Sequence, residues 1–204
     1  VLRNAECGMR NNSALRTPHS ALLKDVPGLC FRNNGEIVHN ADRPYIKNLD
    51  DLPFVSSVYQ KHLKIENYFY SITKHPQITI MTSRGCPYQC SFCVYPQTIH
   101  GHTHRRRSVA NVIEEFKFIR KEFPQVKEIF IEDDTFTLDK KYCVEFSERM
   151  ISEGITIPWT ANSRVDIKEE TLRRLKDANC RLLCIGIESG DQAILDNIKK
   201  GIKL

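Results

Sequence analysis

From Gln77 onward the chain alternates short apolar runs with longer stretches whose apolar residues recur at helical spacing. The apolar runs predict strands at 78–82, 128–131, 158–162 and 182–187. The intervening stretches predict helices near 108–123, 140–153, 166–178 and 191–201. Because strand–helix–strand connections place successive strands parallel, this order predicts an α/β fold with four βα units around a parallel sheet.

Capping residues support two of the predicted helix starts. Ser108 directly precedes the first helix and is a favourable N-cap. Asp166 and Glu169 have the spacing of a capping box, so we expect Asp166 to cap the third helix, which should bury Leu172 and Leu175.

The first 76 residues lack this alternation. Residues 28–32 and 36–39 flank Asn33-Asn34-Gly35, whose Asn-Gly pair favours the positive φ of a tight turn, and so predict a β-hairpin. Residues 40–53 contain two prolines and predict a linker, and residues 54–69 predict one or two short helices. We expect residues 1–76 to be an irregular connector from an upstream domain and residues 77–204 to form the βα core.

Three cysteines follow the first strand of that core. Cys86, Cys90 and Cys93 have the spacing C-x3-C-x2-C, which gathers three soft thiolate ligands on one loop. A cubane iron–sulfur cluster has four irons, so three sulfur ligands leave one iron open to another molecule. The spacing therefore predicts a cluster with a vacant coordination position.

Polar residues follow the other three strands as well. They are Glu132-Asp133-Asp134, then Asn162-Ser163-Arg164, then Glu188-Ser189-Gly190. Functional groups in parallel βα folds gather at the carboxyl ends of the strands. We therefore expect these side chains to surround the cysteine loop at one mouth.

The cysteine triplet, with Phe92 before Cys93, resembles the C-x3-C-x-aromatic-C signature of the radical S-adenosylmethionine (SAM) superfamily. The resemblance implies a [4Fe–4S] cluster on Cys86, Cys90 and Cys93 whose open iron binds SAM, and reductive cleavage of SAM to methionine and a 5′-deoxyadenosyl radical. It also implies a partial (β/α) barrel of six units. Four units fit before Leu204, so we expect a fragment that is inactive as an isolated chain.

The same resemblance implies how SAM is held. Glu132, Asp133 or Asp134 would accept hydrogen bonds from its ammonium group, and the superfamily's frequent Gly-Gly-Glu is absent, so the choice among the three stays open. Arg164 would bind the SAM carboxylate and Glu188 the ribose hydroxyls. No residue is assigned to catalysis itself.

Segments outside the cysteine loop resemble cobalamin-dependent radical SAM enzymes. They are residues 26–38, 43–46, 49–53, 94–98 and 133–136. The last two resemble the branch that acts on hopanoids and tetrapyrroles, which implies methylation or rearrangement of a small or lipid-like organic substrate, with flavodoxin or ferredoxin as electron donor. The Asp-x-His-x-x-Gly cobalamin motif is absent here, so cobalamin is expected of the full-length protein.

Two other functions stay open. A radical SAM methylthiotransferase acting on RNA or protein would suit the basic run Arg105–Arg107, although Cys7 and Cys30 do not form the second cysteine triplet that such enzymes carry. A zinc-binding, non-enzymatic module could use the cysteines with His100, His102 or His104.

Composition and charge indicate the cellular compartment of the protein and the kinds of partner that it binds. The 204 residues include eight cysteines and no basic-then-apolar leader, which favours a reducing, cytoplasmic setting. No apolar run approaches the ~20 residues of a membrane span. The formal net charge of +5 is mild, and we expect Arg105–Arg107 to be a solvated loop rather than a nucleic-acid site.

Overall fold

The computed structural model describes residues 23–204, so Cys7 lies outside the described residues. The chain divides into two compact units between Tyr45 and Ile46. The first contains an antiparallel hairpin of β1 (Cys30–Asn33) and β2 (Glu36–His39). Asn34 and Gly35 have φ of 48° and 91°, so the predicted hairpin is confirmed.

The second unit is built on a four-stranded parallel sheet. Its strands, in their order across the sheet, are β3 (Gln77–Ile80), β6 (Glu128–Ile131), β7 (Trp159–Arg164) and β8 (Cys180–Gly186). Two-residue strands β4 (Ser83–Arg84) and β5 (Arg105–Arg106) pair antiparallel on either side of the cysteines, a feature that the sequence did not predict. The predicted α/β fold class is confirmed.

Within residues 46–204, five α-helices accompany the strands. They are α1 (Val55–His62), α2 (Val109–Glu122), α3 (Lys140–Ser152), α4 (Glu169–Asp177) and α5 (Gln192–Asn197). Shorter helical turns lie at Leu49–Asp51, Ile65–Asn67 and Phe136–Leu138, and Pro96–His100 forms a π-helical turn. Ser108 caps α2 as predicted, because its side chain accepts a hydrogen bond from the Asn111 amide. None of the helices within residues 23–204 is long and apolar enough to cross a membrane.

The hydrophobic core lies on one face of the sheet. Alternate strand residues such as Ile80, Ile131 and Trp159 pack with Phe116 of α2 and Phe146 of α3, all essentially inaccessible to solvent. Full burial of each large apolar side chain contributes about 1.5–3 kcal/mol. Since strand side chains alternate between faces, the intervening residues point to the opposite face of the sheet.

Two details of the third βα unit were predicted wrongly. Asp166 does not cap α4, whose N-cap is Lys168 without a side-chain hydrogen bond. Asp166 instead accepts a hydrogen bond from Arg164, because β7 continues to Arg164 and brings the guanidinium within reach. Leu172 is 37% exposed, since the buried face of α4 carries Thr171 and Leu175.

The basic run is only partly the solvated loop that its charge predicted, since Arg106 is exposed but Arg107 is buried. Arg107 is 7% exposed and forms a buried ion pair with Glu115 of α2. Arg106 pairs with Asp139, and Arg105 donates to the backbone oxygens of Ile46 and His100. Internal acceptors therefore engage all three guanidinium groups.

Residues 46–76 belong to the same compact unit as the sheet. Within it, Ser56 at the start of α1 donates from its amide and hydroxyl to the buried carboxylate of Glu115. The expected origin of residues 1–76 in an upstream domain stays a prediction.

Candidate metal and cofactor site

The cysteine loop leaves the carboxyl end of β3 and closes on residues 101–103. Gly85 has a φ of +91°, and a Cβ at this position would collide with the carbonyl oxygen of Thr103. The amide of Cys86 donates to the carbonyl oxygen of Gly101 at 3.2 Å. The local requirement for glycine is therefore both conformational and steric.

The three loop cysteines are half-buried free thiols. Burial raises the pKa of Cys86, and the neighbouring Asp134, Cys90 and Cys93 raise it further by charge repulsion. A cationic metal centre favours the thiolate form of a cysteine that binds it.

The cysteine loop offers three soft ligands to a metal centre. Within residues 23–204, no three His, Cys, Asp or Glu side chains converge as closely as one metal ion requires. In an iron–sulfur cluster each thiolate binds its own iron, so the sulfur ligands surround a centre that is larger than a single metal ion. Three soft, partly exposed donors on one loop fit that chemistry.

Asp133 is a fully buried carboxylate at the end of β6. It accepts hydrogen bonds from the amides of Thr82 and Ser83 at 2.7 and 2.9 Å, and from their hydroxyls at 2.5 and 2.8 Å. Burial raises the pKa of Asp133, while these hydrogen bonds oppose that shift. Its oxygens are therefore committed to the start of the cysteine loop.

Asp134 contacts both sides of the cysteine loop. It accepts a hydrogen bond from the Gly85 amide at 3.0 Å, and its Oδ1 lies 2.8 Å from Nδ1 of His100. The His100 ring stacks on Tyr95, with ring centroids 6.0 Å apart. The sequence suggested His100 as a loop residue or a zinc ligand, but not as a partner of Asp134, because the two lie 34 residues apart.

Glu132 differs from its two acidic neighbours. It is half-buried, and its Oε1 lies 3.5 Å from Nδ2 of Asn162, at the limit of a hydrogen bond. Burial raises the pKa of Glu132, and repulsion from Asp133 and Asp134 adds to the shift, while Asn162 lowers it. This carboxylate is placed to gain from a cationic ligand.

Arg164, at the end of β7, lies against the cysteine loop. Its guanidinium carbon is 3.5 Å from the centroid of the Tyr88 ring, and its Nη2 donates to the carbonyl oxygen of Lys200 at 3.0 Å. Asp166 accepts from its Nε at 3.1 Å. The guanidinium is thus fixed in orientation beside the loop.

Glu188 follows β8 with a φ of 67°, in the left-handed region. Its Oε1 accepts a hydrogen bond from Nζ of Lys200 at 2.8 Å, and Lys200 is only 6% exposed. The carbonyl oxygen of Ile198 accepts from the Ser91 amide at 2.9 Å, which joins this segment to the cysteine loop. Arg164 and Glu188 are therefore linked to each other through Lys200, a residue that no sequence motif identified.

The sequence of this chain matches a known protein family. Residues 80–204 match the family model of the Radical SAM superfamily. A solved structure of the cobalamin-dependent S-adenosylmethionine radical enzyme OxsB with aqua-cobalamin bound is similar in fold, with a TM-score of 0.62 and 22% identity over 89% of this chain and 27% of that chain.

The alignments with curated relatives cover most of this chain but only a minor part of each relative. An uncharacterized methyltransferase of Pyrococcus horikoshii is 39% identical over 88% of this chain and 38% of its own length. An anaerobic magnesium-protoporphyrin IX monomethyl ester cyclase of Cereibacter sphaeroides is 29% identical over 87% of this chain and 29% of its own length. The chain thus spans well under half the length of these relatives.

The family match begins at Ile80, the last residue of β3, and covers everything after it, including the three cysteines and the four strand ends described above. The chain therefore belongs to the radical SAM superfamily of enzymes, as its cysteine motif predicted.

Proposed function

We propose that Cys86, Cys90 and Cys93 hold a [4Fe–4S] cluster and that SAM binds beside it at the carboxyl ends of the parallel strands. The observation that carries this proposal is the placement of three free, half-buried thiols on one loop directly after β3. When bound, the cluster supplies the electron that cleaves SAM into methionine and a 5′-deoxyadenosyl radical.

Glu132 is the carboxylate of the acidic triplet that accepts hydrogen bonds from the SAM ammonium. Asp133 and Asp134 already direct their oxygens to the cysteine loop, whereas Glu132 makes one long contact with Asn162. An ammonium group next to Glu132 would offset the burial that raises its pKa. Charge-assisted hydrogen bonds of this kind are about twice as strong as neutral ones.

Arg164 and Glu188 bind the carboxylate and the ribose of SAM. The stack on Tyr88 and the bond to the Lys200 carbonyl hold the Arg164 guanidinium in place, so little side-chain freedom is lost on binding. Lys200 orients the Glu188 carboxylate, whose second oxygen is left to accept from a hydroxyl group.

The reaction of the whole protein is a cobalamin-linked methylation or rearrangement of a small or lipid-like organic substrate. The names of the relatives support this class, since one is a methyltransferase and one acts on a tetrapyrrole ester. Cobalamin would bind outside this chain, which lacks the Asp-x-His-x-x-Gly motif. We expect a flavodoxin or ferredoxin as electron donor and a cytoplasmic setting.

Electron paramagnetic resonance tests the SAM site directly. The chain is reconstituted anaerobically with iron and sulfide, reduced, and measured with and without SAM. We expect SAM to change the g-values of the reduced cluster in the unaltered chain and to require a higher concentration in Glu132→Gln. A spectrum that SAM leaves unchanged at saturating concentration would contradict the proposed site.

A further inference from the structure

Asp133 and Asp134 together contact the cysteine loop at its start and on both sides of the three cysteines. They are consecutive residues at the end of β6, a strand whose side chains are fully buried. The strand is held in the centre of the sheet between β3 and β7. Contacts made from its end therefore connect the loop to a rigid part of the fold.

Asp133 fixes the direction in which the chain leaves β3. One of its oxygens accepts from two consecutive backbone amides, Thr82 and Ser83, and the other accepts from the hydroxyls of the same two residues. The side chain is 1% exposed. Both oxygens are occupied and shielded, which leaves no approach for the ammonium group of a cofactor.

Asp134 joins the two flanks of the loop. Gly85, which donates to it, directly precedes Cys86, and His100, whose Nδ1 contacts it, follows Cys93. The side chains of Asp134 and His100 are 8% and 11% exposed, so water competes little for these contacts. One carboxylate therefore closes the segment that carries all three thiols.

We propose that Asp133 and Asp134, with His100, are positioning residues that hold the cysteine loop in the shape that binds the cluster. This inference rests on the proposed cluster site and deepens it, because it leaves Glu132 as the one member of the acidic triplet that binds SAM. In this role the three residues act through the loop.

Thiol alkylation of the full chain without metal tests the positioning role independently of iron. We expect Asp134→Ala and His100→Ala to increase the alkylation rates of Cys86, Cys90 and Cys93 by between about twofold and tenfold, the range expected for loss of one or two hydrogen bonds. Asp134→Asn removes the charge as Asp134→Ala does but keeps an acceptor for the Gly85 amide, so its alkylation rates should stay below those of Asp134→Ala, and the difference reports the hydrogen bond alone. Asp177→Ala, at an exposed position on α4, is the matched control.

Reconstitution supplies the second measurement. Asp134→Ala and His100→Ala should retain less iron, or give a reduced cluster with altered g-values, while Asp134→Asn should retain more iron than Asp134→Ala. Alkylation rates equal to those of Asp177→Ala in both alanine variants would overturn the positioning role, and His100→Ala decides the question if Asp134→Ala fails to fold. If the unaltered chain takes up no iron, the proposed function fails, whereas the alkylation rates still decide the positioning role.

Discussion

At the scale of single residues, Glu132 is the carboxylate that we propose accepts hydrogen bonds from the SAM ammonium group. It must be ionised to bind an ammonium group, and burial raises its pKa, with repulsion from Asp133 and Asp134 in the same direction. Acidification through that raised pKa protonates the carboxylate and removes the attraction. The direction of the shift thus sets the direction of the pH dependence.

We predict that the affinity of the reconstituted chain for SAM falls as the pH is lowered towards the raised pKa of Glu132. In Glu132→Gln the affinity should be lower by about tenfold or more at neutral pH, as expected for a hydrogen bond to a charged group, and should depend less on pH. Equilibrium binding at several pH values measures both effects. Equal pH profiles for the two proteins would argue against Glu132 as the ligand.

The surroundings of Gly85 leave no room for a side chain at that position. We predict that Gly85→Ala displaces the cysteine loop, because a Cβ would collide with the Thr103 carbonyl oxygen at a positive φ. Gly154→Ala is the matched control, since Gly154 also has a positive φ of +61° but has no atom within 4 Å of an added Cβ. Iron content after reconstitution should fall in the first variant and stay near normal in the second.

The control also separates two causes. Both alanine variants suffer the backbone strain of a left-handed conformation, about 1–2 kcal/mol, but only Gly85→Ala has the collision. Equal iron content in the two variants would mean that the close approach of Thr103 does not shape the cysteine loop.

Between the elements, a buried ion pair connects α2 to the end of β3. Arg107 donates to the Glu115 carboxylate and to the Met81 carbonyl oxygen, and Glu115 also accepts from the Ser56 amide and hydroxyl. This network fixes α1 and α2 beside the strand that leads into the cysteine loop.

We predict that Arg107→Met lowers the free energy of unfolding by about 3–5 kcal/mol, because it leaves the Glu115 carboxylate buried without its cation. Lys117→Met is the control: its partners Glu114 and Glu153 lie at the surface, where such pairs contribute about 0–1 kcal/mol. Urea denaturation of both variants measures the difference, and equal midpoints would show that Arg107 has no special role.

The sequence placed each of the four parallel strands to within two residues of its observed bounds, because apolar residues mark each one, although β7 also carries the polar residues Thr160, Asn162 and Ser163. Strand β6 was placed correctly at 128–131, and Ser108 marked the start of α2. It failed where partners distant in the chain decide the outcome. The two-residue pair β4–β5 and the burial of Arg107 depend on such contacts, and no local pattern encodes them.

In the candidate site, too, the sequence predicted the features that depend on local spacing and missed those that depend on residues distant in the chain. The cysteine triplet could be identified from spacing alone, and the acidic triplet from its place after a strand. Which carboxylate remains available to a ligand could not, because Asp133 and Asp134 are engaged by Thr82, Gly85 and His100, far away in sequence. Lys200, which orients Glu188, lay outside every motif.

For the molecule as a whole, the chain covers 38% or less of the two curated relatives described above. It contains the cysteine loop and four strand ends but not the cobalamin motif. We predict that aqua-cobalamin, followed by its visible spectrum and by equilibrium dialysis, does not bind to this chain at micromolar concentration. Tight binding would place the cobalamin site within these residues and contradict our assignment.

The content of iron and sulfide per chain after anaerobic reconstitution decides whether the three loop cysteines hold a cluster. We predict about four of each in the unaltered chain, a large loss in Cys86→Ala, Cys90→Ala and Cys93→Ala, and little change in Cys184→Ala, which removes a free thiol of β8. One zinc per chain without iron or sulfide, or iron content that does not depend on the three loop cysteines, would contradict the proposed cluster.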